Sequence, residues 1–551
     1  MQIRASVLRT LTLWNYLTYL LAFVHTANYQ QPAPEDLLYP PDAVQRYAHT
    51  EPGSYFGYSV ASYVGQSQSF CLVGSPRAKS DILGDLSGHA GSHSSPHTGL
   101  VYRIDLDPNL PYCSMVPIAT TDEMRQEAGT PYPGFSSWLG GTVAAASNSL
   151  DGIQLGCDPR YIYAPDPINR TVPGDMGLSQ PRTYLGTGQC ALYTGASMQY
   201  TSVDACYSQE EGACLAGFSA DVKPGKHLGE ALVALGMPGS YLTEGNVFLG
   251  HYRGRELINA MRLKSSPQDL KHMGFNLGYA VSLVKLIPDT DSKTSHKLHS
   301  DASEQTNNFH ETNDNWGLLA SSSMWIDNEY RGIVMLIDQT MELGGITYLK
   351  DQWGHIGSFF GYSLATADLD GNGILDIIVG APYFTGQKGE EKLTDQDEQV
   401  LLKSTKSNRV RDTLTGSIPL DTDPHFAGDR SSPDVKWGRL APDIGRVYVF
   451  YGYPSSSVTN SHLLNRDQVR PDYLSRPPIV LSGLKMPGGR FGHSLVNLGD
   501  VDGDGTEDLA ISCPYCSDPD RGHDIGAVLI YLGRENFILE DNPFQVCTQC
   551  G

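Results

Sequence analysis

A chain of 551 residues is long enough for several small domains or one large repeat array, and with 40% apolar residues it can bury a sizeable core. A formal net charge of −22 excludes sequence-independent nucleic-acid binding, which needs a cationic surface, and suits a soluble protein that also holds cations. Frequent Gly (58) and Pro (34), with Tyr (30) outnumbering Phe (16), favour many short strands joined by turns over long helices.

At the N-terminus, Arg4 and Arg9 precede an apolar run, Leu11–Val24, followed by small residues near Thr26 and Ala27. This is the pattern of a secretory signal peptide over residues 1–27, cleaved near Ala27. The run is short for a membrane-spanning helix and contains Asn15. Ten cysteines in a secreted chain imply disulfides. The sequon Asn169-Arg170-Thr171 makes Asn169 a glycosylation candidate.

From Tyr55 onward the chain repeats itself. The first unit runs Phe56-Gly-Tyr-Ser-Val60, Cys71-Leu-Val-Gly-Ser-Pro76 and Gly99-Leu-Val-Tyr-Arg103. Weaker copies start at Trp138-Leu-Gly-Gly-Thr-Val143, Gly217-Phe-Ser-Ala220 and Leu277-Gly-Tyr-Ala-Val281. The clearest pair is Phe360-Gly-Tyr-Ser-Leu with Asp376-Ile-Ile-Val-Gly-Ala-Pro382, and Phe491-Gly-His-Ser-Leu with Asp508-Leu-Ala-Ile-Ser-Cys-Pro514. Third apolar runs follow at Gly445–Tyr451 and Gly526–Tyr531. Each unit reads as three or four short strands, a sheet that is buried only when neighbours stack on it. Radial stacking of such sheets is a β-propeller. The expected fold is therefore all-β, with about six blades near residues 50–115, 130–195, 200–255, 270–340, 355–455 and 485–535 of a domain spanning 28–551. Polar stretches at 290–315 and 385–440 read as solvent-exposed insertions, and 80–98 as a smaller one. His89, His93 and His97 in the smaller stretch have helical spacing, but the Gly, Ser and Pro between them oppose a helix and a zinc site.

Two acidic loops sit between predicted strands. They are Asp368-Leu-Asp370-Gly-Asn372-Gly-Ile374-Leu-Asp376 and Asp500-Val-Asp502-Gly-Asp504-Gly-Thr506-Glu-Asp508. Side-chain oxygens recur at loop positions one, three, five and nine. Gly at position six permits the sharp turn, and Ile374 and Thr506 at position seven would offer backbone carbonyls. This supplies the hard oxygen ligands Ca²⁺ needs. An EF-hand would need flanking helices and a Glu at position twelve, but Val379 and Ile511 stand there inside β-branched runs, so these are strand-flanked calcium loops. Without a cation their carboxylates would repel one another.

The Phe-Gly-x-Ser…Asp-x-Asp-x-Asn-Gly-x-x-Asp…Gly-Ala-Pro combination resembles the FG-GAP repeats of integrin α-subunits, whose propeller has seven blades, and the resemblance runs from about Tyr55 to Tyr531. It implies a seven-bladed-type propeller of which about six blades are present. It also implies Cys157–Cys190 and Cys206–Cys214 disulfides, with Cys113 matching half of another whose partner could be Cys71. Cys513-x-x-Cys516 and Cys547-x-x-Cys550 mimic a zinc ribbon, which reads as coincidence because Cys513 replaces the Ala of Gly-Ala-Pro. The resemblance implies an integrin β-subunit partner whose basic residue enters an aromatic cage, matched here by Phe56, Trp138, Phe218, Tyr279 and Phe360. The ligand would be an extracellular-matrix or cell-surface protein, bound at the cell surface by a subunit without an I-domain. Tyr193-Thr-Gly195 and Lys271-His-Met273 stand where RGD-binding relatives carry acids, so a laminin-like or other ligand is as well supported. Asp289-Thr-Asp291 in the fourth unit lacks the Gly and the ninth-position Asp of a calcium loop, which leaves metal there open. The chain stops at Gly551 after the sixth unit, as a truncated product would. A secreted FG-GAP protein is the alternative, either a soluble decoy or a relative of GPI-specific phospholipase D without its catalytic domain. The chain shows no Gly-x-Ser-x-Gly or His-Glu-x-x-His motif, so a non-enzymatic binding module is expected.

Overall fold

In the computed structural model the described residues are 53–64, 69–78, 99–105, 115–119, 138–146, 152–161, 186–194, 200–206, 213–263, 276–286, 316–322, 331–338, 341–342, 346–351, 356–387, 440–454, 471–517, 525–535, 539 and 541–547. The signal-peptide segment, Asn169, Cys113, Cys550, Asp289, Asp291 and nearly all of the two long insertions lie outside them. Among the described residues no helix is long and apolar enough to cross a membrane, and Ser240–Thr243 is a single helical turn.

Six antiparallel four-stranded sheets follow one another along the chain, each pairing its strands in sequence order. Their first strands are Ser59–Val64, Thr142–Ala146, Ser219–Pro224, Val281–Lys285, Ser363–Ala367 and Leu495–Gly499. These pack side by side from one sheet to the next, lining a central axis as the inner strands of six propeller blades. The second strands are Ser69–Ser75, Ile153–Asp158, Glu230–Met237, Trp316–Ser322, Asp376–Ala381 and Asp508–Cys513. In the fifth blade short pairs, Gly386–Gln387 with Leu440–Ala441 and Tyr453–Pro454 with Pro471–Asp472, flank the third strand, Arg446–Phe450.

The second strands read as continuous apolar runs because a neighbouring blade covers each face. Glu230–Met237 and Asp376–Ala381 are buried at every residue. Alternate side chains of one strand serve two neighbours. Ile377 and Val379 pack toward the fourth blade, with Val284 and Leu319, while Ile378 packs toward the sixth, with Leu509 and Ile511. Each such side chain, fully buried, stabilises the fold by about 1.5–3 kcal/mol. Five apolar clusters join consecutive blades in this way. Among the described residues no comparable cluster joins the sixth blade to the first, and Val60 and Val496 on those blades are 60% and 51% exposed.

The repeat motif explains itself at the blade junctions. Ser59, Ser219 and Ser363 each donate from Oγ to the carbonyl of the motif Gly in the next blade, Gly140, Gly278 and Gly492, at 2.7–2.9 Å. The same carbonyl rests against a glycine of the second strand. A Cβ at Gly74, Gly236 or Gly380 would stand about 2 Å from it. Ser and Gly are therefore the two sides of one socket repeated between blades. Disulfides join Cys157 to Cys190 across paired strands, Cys206 to Cys214, and Cys513 to Cys516. Cys513 and Cys516 thus bond to each other. Cys71 is unpaired among the described residues, and burial raises its thiol pKa.

Candidate metal centres and an axial aromatic row

Both acidic loops lie at the far end of an inner strand, where the chain turns into the second strand of the fifth and sixth blades. Positive φ at Gly371 and Gly373, and at Gly503 and Gly505, folds each loop inward. Carboxylate oxygens of Asp368, Asp370 and Asp376 lie within 4.8 Å of one another, as do those of Asp500, Asp502 and Asp504. The first-position carboxylate organises each turn. Asp368 accepts from the Asn372 and Gly373 amides at 3.1 and 2.8 Å, and Asp500 from Gly503 and Gly505 at 2.7 and 2.9 Å.

The ninth-position carboxylates are fully buried. Asp376 accepts from the Leu369 and Gly452 amides, and Asp508 from the equivalent Val501 and Gly533 amides, at 2.8–3.0 Å. Burial pushes the Asp376 carboxyl up to about 8, with Asp370 and Asp368 adding to the rise against those amides. Burial also raises Asp370 and Asp508, whereas hydrogen bonds from Thr506 lower Asp504. A buried carboxyl resisting ionisation beside other acids is a place where a cation lowers the energy. The donors are all oxygen, with no thiolate or imidazole among them, which fits Ca²⁺ and not a soft transition metal. Asp368, Asp370, Asn372, Asp376 and the Ile374 carbonyl would hold the first ion. Asp500, Asp502, Asp504, Asp508 and the Thr506 carbonyl would hold the second.

The third blade meets the same position without such a loop. With Gly236 and Gly380 in equivalent sockets, Leu232 takes the place of Asp376. Two residues earlier, buried Glu230 accepts from Arg253 Nε at 2.8 Å and from the His227 amide at 3.0 Å. Its counter-charge is a side chain of the same blade.

At the opposite end of the inner strands, a row of aromatic rings follows the blades around the axis. Tyr55, Tyr58 and Trp138 form one group, with centroids 5.8–6.4 Å apart. Phe218, Tyr279, Tyr362 and His493 form the next, at 5.2, 5.4 and 4.9 Å, and Tyr383 lies 5.8 Å from Tyr362. The Tyr362 hydroxyl is 3.2 Å from His493 Nε2. Burial raises the Tyr362 and Tyr279 hydroxyls, and burial, with Arg490 nearby, lowers His493. Guanidinium groups already lie over this face, Arg77 on Tyr55 at 5.2 Å and Arg160 on Trp138 at 5.3 Å.

The motif residues divide between this row and the core. Trp138, Phe218 and Tyr279 belong to the row. Phe360 does not: it is fully buried against Tyr448 and Phe450. Phe56 turns to Tyr102 in the first blade. The correction is one of register. Positive φ at Gly57 and Gly361 reverses the chain, so the Phe before the glycine tucks under the blade and the Tyr after it, Tyr58 or Tyr362, joins the row. The signal for Tyr58, Tyr362 and His493 was the residue between Gly and Ser in each motif. In the second blade that residue is Gly141, and the Trp138 ring fills its space.

A family model described as FG-GAP repeat matches residues 360–392. The chain is 24% identical to integrin alpha-5 of Xenopus laevis over 90% of its own length and 37% of that protein. It is 24% identical to integrin alpha-8 of Gallus gallus over 90% and 36%, and 23% identical to integrin alpha-IIb of Homo sapiens over 92% and 39%. The chain thus spans a little over a third of the length of these relatives. Among solved structures, a subtype N11 neuraminidase-like protein of A/flat-faced bat/Peru/033/2010 covers 90% of the chain and 94% of its own, at 8% identity and a TM-score of 0.34, too distant to carry an argument. With six stacked sheets, an FG-GAP repeat over residues 360–392 and these relatives, the chain is a six-bladed β-propeller similar in sequence to integrin α-subunits.

Proposed function

We propose that the chain acts as the ligand-binding head of an integrin-like adhesion receptor, a binding module and not an enzyme. It would pair with an integrin β-subunit, recognise an extracellular-matrix or cell-surface protein, and hold Ca²⁺ in the two loops. The observation that carries this reading is the aromatic row. Single aromatic side chains from successive blades converge on one end of the axis, and their π faces suit a cation from a partner. Trp138, Phe218 and Tyr279, with Tyr58 and Tyr362 in place of Phe56 and Phe360, would make that contact. The loops lie at the other end of the inner strands, about 16 Å away for a five-residue strand. Calcium would therefore stabilise the head without entering the partner contact. The signal peptide over residues 1–27 and a glycan on Asn169 belong to the same proposal, and would place the protein on the secretory route to the cell surface.

The test is co-expression with integrin β-subunits, followed by affinity capture in calcium and magnesium. Stoichiometric recovery of a β-subunit is expected. The double variant F218A/Y279A should reduce that recovery at least tenfold while leaving the melting temperature within a few degrees, since each good cation–π contact contributes about 0.5–2 kcal/mol. If no β-subunit is retained by the folded wild-type chain, the reading fails.

A further inference from the structure

The two acidic loops are hydrogen-bonded to each other through residues that stand next to, or donate to, their metal-ligating groups. The first strut is Glu507. Its carboxylate accepts from the Asp368 amide at 2.7 Å, and its own amide donates to the Asp368 carbonyl at 3.0 Å. Asp368 is the first-position ligand of the fifth-blade loop. Glu507 is flanked by Thr506 and Asp508, the seventh and ninth positions of the sixth-blade loop. Asn497 braces the strut, donating from Nδ2 to both Glu507 and the Thr366 carbonyl at 2.9 Å.

The second strut is the Gly533–Arg534 turn. The Gly533 amide donates to the Asp508 carboxylate at 2.9 Å, and the next amide, of Arg534, donates to the Leu369 carbonyl at 3.0 Å. The Leu369 amide in turn donates to the Asp376 carboxylate at 3.0 Å. A continuous path therefore runs from the ninth-position ligand of one loop to the ninth-position ligand of the other. The loops also touch: a Cβ at Gly371 would stand 3.1 Å from Thr506 Cγ2, and one at Gly533 would stand 2.3 Å from the Glu507 carbonyl.

We infer that the two loops form one coupled cation-binding unit, in which calcium in either loop raises the affinity of the other through Glu507 and the Gly533–Arg534 turn. The inference rests on the calcium reading above and goes beyond it. An ion in the sixth-blade loop fixes the Thr506 carbonyl and the Asp508 carboxylate, and so fixes the peptide units on both sides of Glu507. Glu507 then holds the Asp368 backbone, and Gly533–Arg534 holds Leu369, in the positions the fifth-blade loop needs. The ordering required at the second loop has been met in part by the first ion, which is positive cooperativity. Linkage makes the effect reciprocal.

The test uses calorimetric calcium titrations of the full chain and three variants. D502N/D504N silences the sixth-blade loop and D370N the fifth, and neither substitution removes a strut. Glu507→Ala removes the side-chain strut and leaves every ligand. The expected wild-type isotherm binds two ions with a product of constants at least fivefold larger than the product of the two single-site constants, the lower end of ordinary couplings. Each site should be weakened by the same factor when the other is silenced, and Glu507→Ala should cut the coupling at least twofold. A wild-type isotherm equal to the sum of the single-site isotherms overturns the coupling and leaves the calcium reading standing. No calcium uptake by the wild type at millimolar concentration overturns both. If a silenced variant fails to fold by circular dichroism, terbium luminescence of the wild type and Glu507→Ala decides. Identical two-step titrations of those two proteins overturn the inference, as does an equal loss at both steps in Glu507→Ala, and a loss of affinity confined to the second step supports it.

Discussion

Raising the pH of the calcium-free protein from 6.5 to 8 should lower its stability, and adding calcium should remove that dependence. The group responsible is Asp376, fully buried and with its carboxyl pushed up to about 8 by that burial. A carboxyl whose folded pKa lies above its unfolded one stabilises the fold while protonated. That contribution is complete below the ordinary value of 3.8 and is lost as the pH rises through about 8. Linkage gives about 1.4 kcal/mol per pH unit while only the folded state holds the proton, so allowing for half-ionisation at the top of the window the loss is about 1.5 kcal/mol. For a chain of 551 residues that corresponds to roughly 1–2 °C in melting temperature. The window starts at 6.5 because His493, lowered by burial and Arg490, contributes with the opposite sign only below its ordinary value of 6.5. Asp541, also raised by burial, has the same sign but lies outside the loops, so the difference between calcium and chelator isolates the loop carboxyls, Asp376 together with Asp370 and Asp508, which burial raises in the same sense. The assay is scanning calorimetry at both pH values, in chelator and in calcium. Calcium at a hundred times its dissociation constant stabilises by about 2.7 kcal/mol per site, and that gain should be larger at pH 8 than at 6.5. Calcium-free stability that is flat or rises with pH over this window, or a calcium gain equal at the two pH values, would refute the reasoning.

Three further outcomes are expected, one at a blade junction and two within blades. Gly380→Ala places a Cβ about 2.2 Å from the Gly492 carbonyl and Ser363 Oγ, and should destabilise by about 3 kcal/mol, read as a lower urea midpoint with an unchanged slope. Replacing both Cys157 and Cys190 by alanine opens a bridge with a sequence separation of 33 and should cost about 2–4 kcal/mol, with a loss of resistance to thermolysin. Glu230→Ala strips the buried partner from Arg253 Nε and the His227 amide; about 2 kcal/mol of lost stability is expected, with calcium affinity unchanged because this cluster is in a different blade from either loop.

The repeats and the loops were legible because their signals are local. Nine residues from Asp368 to Asp376 carry one ligand set, and the buried second strands announce themselves as apolar runs. The aromatic row was legible only in part. The motif Phe is the conspicuous residue, yet Phe360 belongs to the core, and a single glycine with positive φ decides which neighbour reaches the axis. Pairing of Cys513 with Cys516 was not readable either, since their spacing suits a metal ribbon as well as a tight disulfide turn. The struts between the loops were invisible for a different reason. Asp368 and Glu507 are 139 residues apart, and Glu507 occupies a loop position that ligand spacing leaves unspecified.

Among the described residues five apolar clusters each join one blade to the next, while Val60 and Val496 on the first and sixth blades are exposed, so the apolar contact seen is concentrated between sequence neighbours. In such an array each sheet is held mainly by its neighbours, so opening is easiest at the two ends and hardest in the middle. Amide exchange should then be slowest in Glu230–Met237 and faster in Ser69–Ser75 and Asp508–Cys513. The reinforcements are placed accordingly. Two disulfides clasp the second blade and its junction with the third, and two acidic loops sit in the fifth and sixth. The second-blade flank thus answers to oxidation alone, whereas the other answers to cation supply as well as to its own Cys513–Cys516 bond, so chelation loosens only one of the two.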